Sequence, residues 1–267
     1  MEAFLVTRRD LLKLGGACVA TIALGSKLNA ANTEPVIGLI FPPFTKPLPE
    51  ADKMYPNTVK FLMKGLGITA MTAEDYDAAV PKVTNAAKGL RDKGAQGISL
   101  MGTSLTFYKG AEFNRYLIQS MHEATGLPCT TMSTGIVDGL QAVKAKRVAV
   151  ATAYQDDINQ RLIVFLNESG FQVDYLKGLG LGLLSEPRKV TEAQLMDLCS
   201  DVCRSAPHAE ALVISCGGLF TMGIHLALEK QFKVPVVSST SAALWSVVRM
   251  MGMSGRAPGL GRLLEID

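Results

Sequence analysis

Short apolar runs alternate with helical patterns between residues 36 and 238, and this alternation is typical of a layered α/β fold with mainly parallel strands. We interpret seven of the runs as strands: Val36–Phe41, Thr58–Leu62, Gly97–Met101, Arg147–Ala151, Gln172–Leu176, Ala211–Ser215 and Val234–Val237. Two helices are predicted most clearly. They are Glu74–Lys93, with Thr72 as its N-cap, and Asp156–Asn167, which ends before Gly170.

An internal repeat divides the sequence into two similar halves. In each half a strand, a turn of small residues and a helix precede a short segment rich in hydroxyl residues, Gly126–Thr134 and then Lys233–Thr240. Two such halves facing each other would bring both turns to one cleft, where open α/β sheets usually bind ligands. We predict a first domain of residues 35–141 with 238–267 and a second of residues 142–237. Coincidence between similar α/β units is the alternative explanation.

The first thirty residues have the features of an export signal. Thr7–Lys13 contains paired arginines, an apolar run from Leu14 to Gly25 follows, and Leu28–Ala30 is a small-residue cleavage site. The apolar run is too short to stay in a bilayer as a spanning helix. We therefore predict a twin-arginine signal peptide over residues 1–30, export by the Tat machinery, a periplasmic location and no stable membrane insertion after the signal is removed.

The mature chain is expected to be nearly neutral. The full sequence has a formal charge of +3, and residues 1–30 hold four basic and two acidic residues, so their removal leaves +1. This charge balance does not predict binding to nucleic acid or to an anionic membrane. The roughly 237 residues that remain are enough for one large or two small domains with a substantial core.

Most of the cysteines and histidines predict packing rather than chemistry. Cys199 and Cys203 are four residues apart on a helix, but no histidine or acidic partner stands at metal-ligand spacing. Cys129 is expected in the core, and the three histidines are scattered. No metal site, phosphate loop, complete dinucleotide fingerprint or serine nucleophile elbow is predicted. Gly178–Gly182 is interpreted as a flexible loop.

Cys216 is the strongest candidate for chemistry. It follows the apolar run Ala211–Ser215 and precedes two glycines and a helical pattern. Its thiol is therefore predicted at the end of a strand and the start of a helix, where free backbone N–H groups face a small anion. Gly102 stands at the corresponding position of the first half. The site is thus expected to bind an anion from both sides but to have a proton donor on only one.

Four separated segments carry a resemblance to a known family: Ser99–Leu105, Ala124–Thr134, Ala151–Tyr154 and Ser215–Leu219. In this order they resemble the arylmalonate decarboxylases of the aspartate/glutamate racemase superfamily, and the resemblance extends from about Val36 to Leu263. It implies two pseudo-symmetric Rossmann-like α/β domains with mainly parallel sheets and the active site in the cleft between them. It also implies an enzyme without a cofactor that acts on a small dicarboxylate.

The resemblance further implies roles for individual residues. Five would stabilise the enediolate that remains after loss of CO2: Thr103, Ser104, Tyr154, Gly217 and Gly218. Cys216 would protonate this intermediate. Eight would bind the substrate in the adjoining pocket: Pro42, Pro43, Ile68, Met71, Tyr76, Met101, Gly102 and Leu105. Leu184 and Pro187 would form the wall of its small compartment, and ordinary core packing is the alternative for Ile68 and Met71.

Gly102 favours decarboxylation over racemisation. Racemases and maleate isomerases of the superfamily carry a cysteine on each side of the cleft, because racemisation needs two acid/base groups and decarboxylation needs one. We predict decarboxylation of disubstituted arylmalonates to chiral monocarboxylic acids; a racemase or isomerase, or an exported carboxylate-binding protein, are the alternatives. The sequence does not decide whether Cys216 is a thiol or a thiolate before substrate binds, because a helix N-terminus lowers a thiol pKa and apolar burial raises it.

Overall fold

The structure is a computed structural model that describes residues 34–43 and 48–267. The predicted signal peptide lies outside these residues. The first half contains β1 (Val36–Phe41), α1 (Pro49–Met54), β2 (Lys60–Gly65), α2 (Ala73–Arg91), β3 (Gly97–Leu100), α3 (Thr103–Phe107), α4 (Gly110–Thr125), β4 (Cys129–Thr131) and α5 (Met132–Ala142). The second contains β5 (Arg147–Tyr154), α6 (Asp156–Glu168), β6 (Gln172–Leu181), α7 (Glu192–Ser205), β7 (Ala211–Ser215), α8 (His225–Phe232), β8 (Val236–Ser238) and α9 (Ser239–Met250).

The two halves form four-stranded sheets with the same strand order. The first sheet runs β2-β1-β3-β4 and the second runs β6-β5-β7-β8, and every pairing is parallel. Strands β1 and β5 are therefore equivalent, as are β3 and β7. This confirms the predicted α/β fold with two pseudo-symmetric halves. The domain boundaries near residues 141 and 237 stay predictions.

The central strands are the best covered parts of each sheet. Every residue of β3 and of β7 is buried, as expected for parallel strands that have helices on both faces. The edge strand β6 has no fully buried residue. The residues that directly follow β3 and β7 are therefore attached to fully buried strands. This attachment fixes the position of those residues at the end of each sheet.

Helices α5 and α9 join the two halves. Each begins directly after the last strand of its own sheet, α5 after Thr131 and α9 after Ser238, and the two helices pack against each other. The side chain of Thr131 caps α5 by accepting a hydrogen bond from the Thr134 N–H at 3.0 Å. Among the described residues, no helix combines the length and the hydropathy that a bilayer crossing requires.

The predicted elements are largely observed, with differences at their ends. The Thr72 side chain caps α2 as predicted, whereas β2 begins at Lys60 rather than Thr58 because residues 55–58 form a turn in which Asn57 has a φ of 58°. Strand β4 was not predicted, since three residues are too few to show an apolar pattern.

The prediction of a flexible loop over Gly178–Gly182 was wrong. Strand β6 continues to Leu181, and Gly178 lies very close to the neighbouring strand β5. A Cβ added at Gly178 would lie 2.4 Å from the Tyr154 carbonyl oxygen and 2.6 Å from Asn159 Nδ2. Glycine is present here because the backbone passes too near β5 for a side chain.

Candidate active site

A cavity lies where the ends of β1, β3, β5 and β7 meet. Its volume is about 50 Å³, far below the ~300 Å³ or more of most sites for small organic ligands. A ligand of that kind can enter only if the walls move apart. The lining residues are Phe41, Pro42, Pro43, Met101, Gly102, Thr103, Ser104, Tyr154, Leu184, Arg188, Cys216, Gly217 and Gly218.

Ten of the residues predicted for the site line this cavity, and four do not. Ile68, Met71 and Leu105 are buried in the core beside it. Tyr76 is fully buried behind the wall, where its hydroxyl lies 2.5 Å from Ser104 Oγ. Leu184 lines the cavity as the resemblance implies, and Pro187 packs against Gly218 from behind.

The first-half wall is built by the short helix α3. Gly102 is the N-cap of this helix, and Thr103 and Ser104 occupy its first two positions. Both hydroxyls are therefore held at the cavity by a helix that is separated from the buried strand β3 by only two residues. A Cβ added at Gly102 would lie 2.4 Å from Pro42 Cγ. A side chain at this position would require the Pro42 ring to move.

The second-half wall is a turn rather than a helix start. The Leu219 N–H donates to the Cys216 carbonyl oxygen at 3.1 Å, a second turn follows at Thr221–Ile224, and α8 begins only at His225. The predicted position of Cys216 at a helix N-terminus was therefore wrong, because the paired glycines direct the chain into turns. Cys216 has a φ of 155°, a value that L-residues rarely adopt.

The environment of Cys216 favours the neutral thiol. Burial raises the pKa of Cys216 to about 11, while the N–H groups of Gly218 and Leu219 and the hydroxyl of Tyr154 act in the opposite direction by stabilising a thiolate. Burial therefore has the larger effect, and it favours the thiol over the thiolate at neutral pH.

Tyr154 lies between the two walls. It ends β5, is 1% exposed, and its ring packs edge-on against Phe107 of α3 with 5.7 Å between ring centroids. Its hydroxyl is 3.3 Å from Ser215 Oγ. Burial, followed by the effect of the nearby Cys216, holds the pKa of Tyr154 well above its usual value. The phenol is therefore a hydrogen-bond donor at neutral pH.

Ser239, which was not among the predicted site residues, connects the two walls. It is the first residue of α9, and its Oγ accepts hydrogen bonds from Thr103 Oγ1 at 3.0 Å and from the Cys216 N–H at 3.1 Å. The Thr103 hydroxyl also lies 2.8 Å from Met132 Sδ. The repeated hydroxyl-rich segment Lys233–Thr240 contains Ser239, so the repeat pointed to this region without identifying the residue.

The other candidates for chemistry are elsewhere. Cys199 and Cys203 are buried in α7, and burial raises the pKa of Cys203 to about 11. Cys129 is only half-buried, at the first position of the edge strand β4. Residues 34–43 and 48–267 contain no cluster of three or more potential metal-ligating side chains. Phe41 and Arg188 are the cavity-lining residues that sequence reasoning missed.

Comparisons with known proteins agree on one family. Residues 37–264 match the family model of arylmalonate decarboxylase. The arylmalonate decarboxylase of Bordetella bronchiseptica is 44% identical over 233 residues, which cover 86% of this chain and 97% of that protein. The solved structure of unliganded arylmalonate decarboxylase has a TM-score of 0.78 and 43% identity, and the match covers 86% of this chain and 99% of that one.

A more distant relative shares the fold. The maleate isomerase Iso of Pseudomonas putida S16 has a TM-score of 0.80 at 19% identity, over 86% of this chain and 98% of that one. Similarity at this level of identity supports the fold alone. The family model and the 44% identical relative both extend over most of the chain, and the chain therefore belongs to the arylmalonate decarboxylase family of carboxy-lyases.

Proposed function

We propose that this protein decarboxylates disubstituted arylmalonates without a cofactor and that Cys216 protonates the resulting enediolate. The observation that carries the proposal is a single buried thiol that lines one cavity with hydroxyl side chains and the backbone of Gly217–Gly218, while Gly102 occupies the equivalent position of the other half. One proton donor on one face is sufficient for decarboxylation and insufficient for racemisation.

The hydrogen-bond donors would carry the negative charge of the intermediate. Loss of CO2 leaves an electron pair on the α-carbon, which delocalises into the retained carboxylate as an enediolate. Thr103, Ser104 and Tyr154 have hydroxyls on the cavity wall, and the Gly217–Gly218 turn has N–H groups there. The Thr103 hydroxyl, which donates to Ser239 Oγ, would turn toward the intermediate. A preorganised donor of this kind contributes about 3 to 4 kcal/mol to transition-state stabilisation.

The apolar wall would hold the carboxylate that leaves. Pro42, Pro43 and Met101 offer no hydrogen-bond donor side chains on their part of the cavity. A carboxylate placed there loses its hydration without gaining equivalent bonds, so its departure as neutral CO2 becomes more favourable. The contrast between this wall and the donor wall would decide which of the two carboxylates is lost.

Protonation then completes the reaction. The Cys216 thiol transfers its proton to the α-carbon of the enediolate, which yields the monocarboxylate and a buried thiolate. Because the pKa of Cys216 is raised to about 11 by burial, this thiolate is a strong base that recovers a proton from solvent at neutral pH. Delivery from one side of the cavity would give a product of one handedness.

Incubation with phenylmalonate and 2-methyl-2-phenylmalonate tests the proposal. We expect release of one CO2 per substrate molecule, with one enantiomer of 2-phenylpropionate from the methylated substrate, and full activity after exhaustive chelation. Binding without CO2 release would instead indicate a carboxylate-binding protein. Racemisation of added 2-phenylpropionate at a rate similar to decarboxylation would contradict a single proton donor.

We also propose that the protein is exported by the Tat machinery and acts in the periplasm. The support is the order of the paired arginines in Thr7–Lys13, the apolar run and the small-residue site at Leu28–Ala30. A reporter protein fused to residues 1–30 should reach the periplasm of a Tat-competent bacterium. Replacement of Arg8 and Arg9 by lysine should retain the reporter in the cytoplasm, and export that persists would contradict the proposal.

A further inference from the structure

Arg188 is a cationic side chain in the wall of the proposed substrate cavity. It is half-buried, and its guanidinium carbon lies 5.5 Å from the centroid of the Phe220 ring. Phe220 is 41% exposed, so the stacked pair stands between the cavity and solvent. The charge of Arg188 acts on the Cys216 thiol by lowering its pKa, against the larger effect of burial. In the proposed chemistry Arg188 supplies neither the proton nor a hydrogen bond to the enediolate.

The backbone around Arg188 is held firmly. Residues Pro187–Lys189 form a turn of 3-10 helix, and Pro187 is buried. The preceding segment is fixed to the region after β2, because the Met71 N–H donates to the Gly182 carbonyl oxygen at 2.8 Å and the Leu184 N–H donates to the Thr69 carbonyl oxygen at 2.9 Å. The backbone that carries Arg188 is therefore held on both sides by the contacts of its own segment.

In the described part of the chain, the charge of Arg188 has no close acidic partner. Among the described residues, no carboxylate oxygen lies within 4.0 Å of its guanidinium nitrogens. The carboxylate of Glu186 instead accepts hydrogen bonds from the N–H groups of Gly182 and Leu183, at 3.0 and 2.7 Å. Burial raises the pKa of Glu50, and the charge of Arg188 opposes this effect. Glu50 thus lies within the field of Arg188 without forming an ion pair.

The departing carboxylate is an unsuitable partner for this cation. An arginine that binds it would stabilise the ground state, and this stabilisation would be lost as the group becomes neutral CO2. The retained carboxylate already has the hydroxyl and N–H donors of Thr103, Ser104, Tyr154 and the Gly217–Gly218 turn. An anion bound by Arg188 must then be a third group, carried on the part of the substrate that points toward Phe220.

We propose that Arg188 is a specificity-determining residue that binds an additional carboxylate on the aryl substituent, so that the preferred substrates are arylmalonates with a third acidic group. This inference rests on the proposed function and names the substrate class of the same site. A guanidinium binds a carboxylate through two parallel hydrogen bonds. The Phe220 ring beside it would pack against the aryl part of the same substrate.

Binding of product-like acids tests this proposal without requiring turnover. The probes are phenylacetate and its 3-carboxy and 4-carboxy derivatives, and the measurement is titration calorimetry. We expect the better carboxy derivative to bind the wild-type protein at least about tenfold more tightly than phenylacetate, as a charge-assisted hydrogen bond requires. Arg188→Met and Arg188→Gln should abolish this preference, so that phenylacetate and its carboxy derivatives bind each variant with similar affinity, whatever the loss of one cavity charge does to all of these anions together.

Two further variants sharpen the result. Arg188→Lys should keep part of the preference, because the charge remains and the paired geometry is lost. Lys189→Met removes the neighbouring exposed cation, which does not line the cavity, and should keep all of it. Equal affinities in the wild type, or a preference that survives in both neutral variants, would overturn the proposal. CO2 release from phenylmalonate, measured in parallel, reports separately on the proposed decarboxylation.

Discussion

The turns after β3 and β7 occupy equivalent places in the two sheets, but they leave their strands differently. Only Met101 and Gly102 separate β3 from the helix that carries Thr103 and Ser104, whereas nine residues, 216–224, separate β7 from α8. The first turn therefore supplies hydroxyls from a helix start. The second supplies a thiol and backbone N–H groups from a loop. Equivalent positions in a repeated fold can thus carry complementary chemistry.

The backbone conformations of Gly102 and Cys216, the equivalent residues of the two turns, also differ. Gly102 has an extended conformation with a φ of −139°, which any residue can adopt. Glycine is needed there for space, because the Pro42 ring lies where a side chain would begin. Cys216 has a side chain although its φ of 155° is unfavourable for one. An uncommon conformation of this kind costs on the order of 1 to 3 kcal/mol and is found most often at functional sites. If backbone conformation alone decided the residue type, glycine would stand at position 216 and a residue with a side chain at position 102.

The largest expected effect comes from removing the thiol. Cys216→Ser should lower kcat by about 10²- to 10⁴-fold, because a hydroxyl is a far weaker acid than a thiol. Phenylacetate binding and the thermal unfolding temperature should change little, since the two side chains are similar in size. Cys199→Ser is a matched control, because Cys199 is buried in α7 and does not line the cavity. Near-normal kcat in Cys216→Ser would contradict the proton-donor role.

The next effect concerns the three hydroxyls that line the cavity. Thr103→Val, Ser104→Ala and Tyr154→Phe should each lower kcat by roughly 10²- to 10³-fold, with a smaller change in KM, because the donors act mainly in the transition state. Thr106→Val is the matched control on the same helix, since its hydroxyl bonds to the Thr103 carbonyl oxygen and Ser133. Changes confined to KM would indicate a site that binds carboxylates without stabilising an enediolate.

The smallest expected effect is that of pH. The thiol is the active form, and burial raises the pKa of Cys216 to about 11, so its loss begins only as the pH rises toward that value. The ratio kcat/KM, which reports the free enzyme, should therefore stay flat through the usual thiol pKa of about 8.5. A decline centred near that value would mean that Cys216 titrates as an exposed cysteine does.

The sequence predicted the fold well where the physical pattern was strong. Apolar runs such as Ala211–Ser215 become buried parallel strands because helices cover both faces. It failed where long-range packing decides the conformation. The alternation of glycine and leucine in Gly178–Leu181 resembles a loop, yet the close passage of β5 makes it a strand.

The candidate site was predicted mainly through the family resemblance. Eleven residues assigned in this way, Leu184 among them, line the cavity. Most of them follow the ends of strands, as the segments around Thr103, Tyr154 and Cys216 do. Ser239 and Arg188 could not be assigned by the same reasoning. Ser239 acts through a hydrogen bond to the Cys216 backbone. Arg188 reaches the cavity from the connection between β6 and α7, which is not among the four segments that carry the resemblance.

The handedness of the product tests most directly whether the single thiol defines the reacting face. The variant combines Cys216→Ser with Gly102→Cys, and it includes Pro42→Ala because a Cβ at position 102 would lie 2.4 Å from the Pro42 ring. Its product from 2-methyl-2-phenylmalonate is analysed by chiral chromatography beside that of Pro42→Ala alone. We expect opposite enantiomers from the two variants, since the thiol then lies across the pseudo-symmetric cavity. The same enantiomer from both would show that Cys216 does not set the face of protonation.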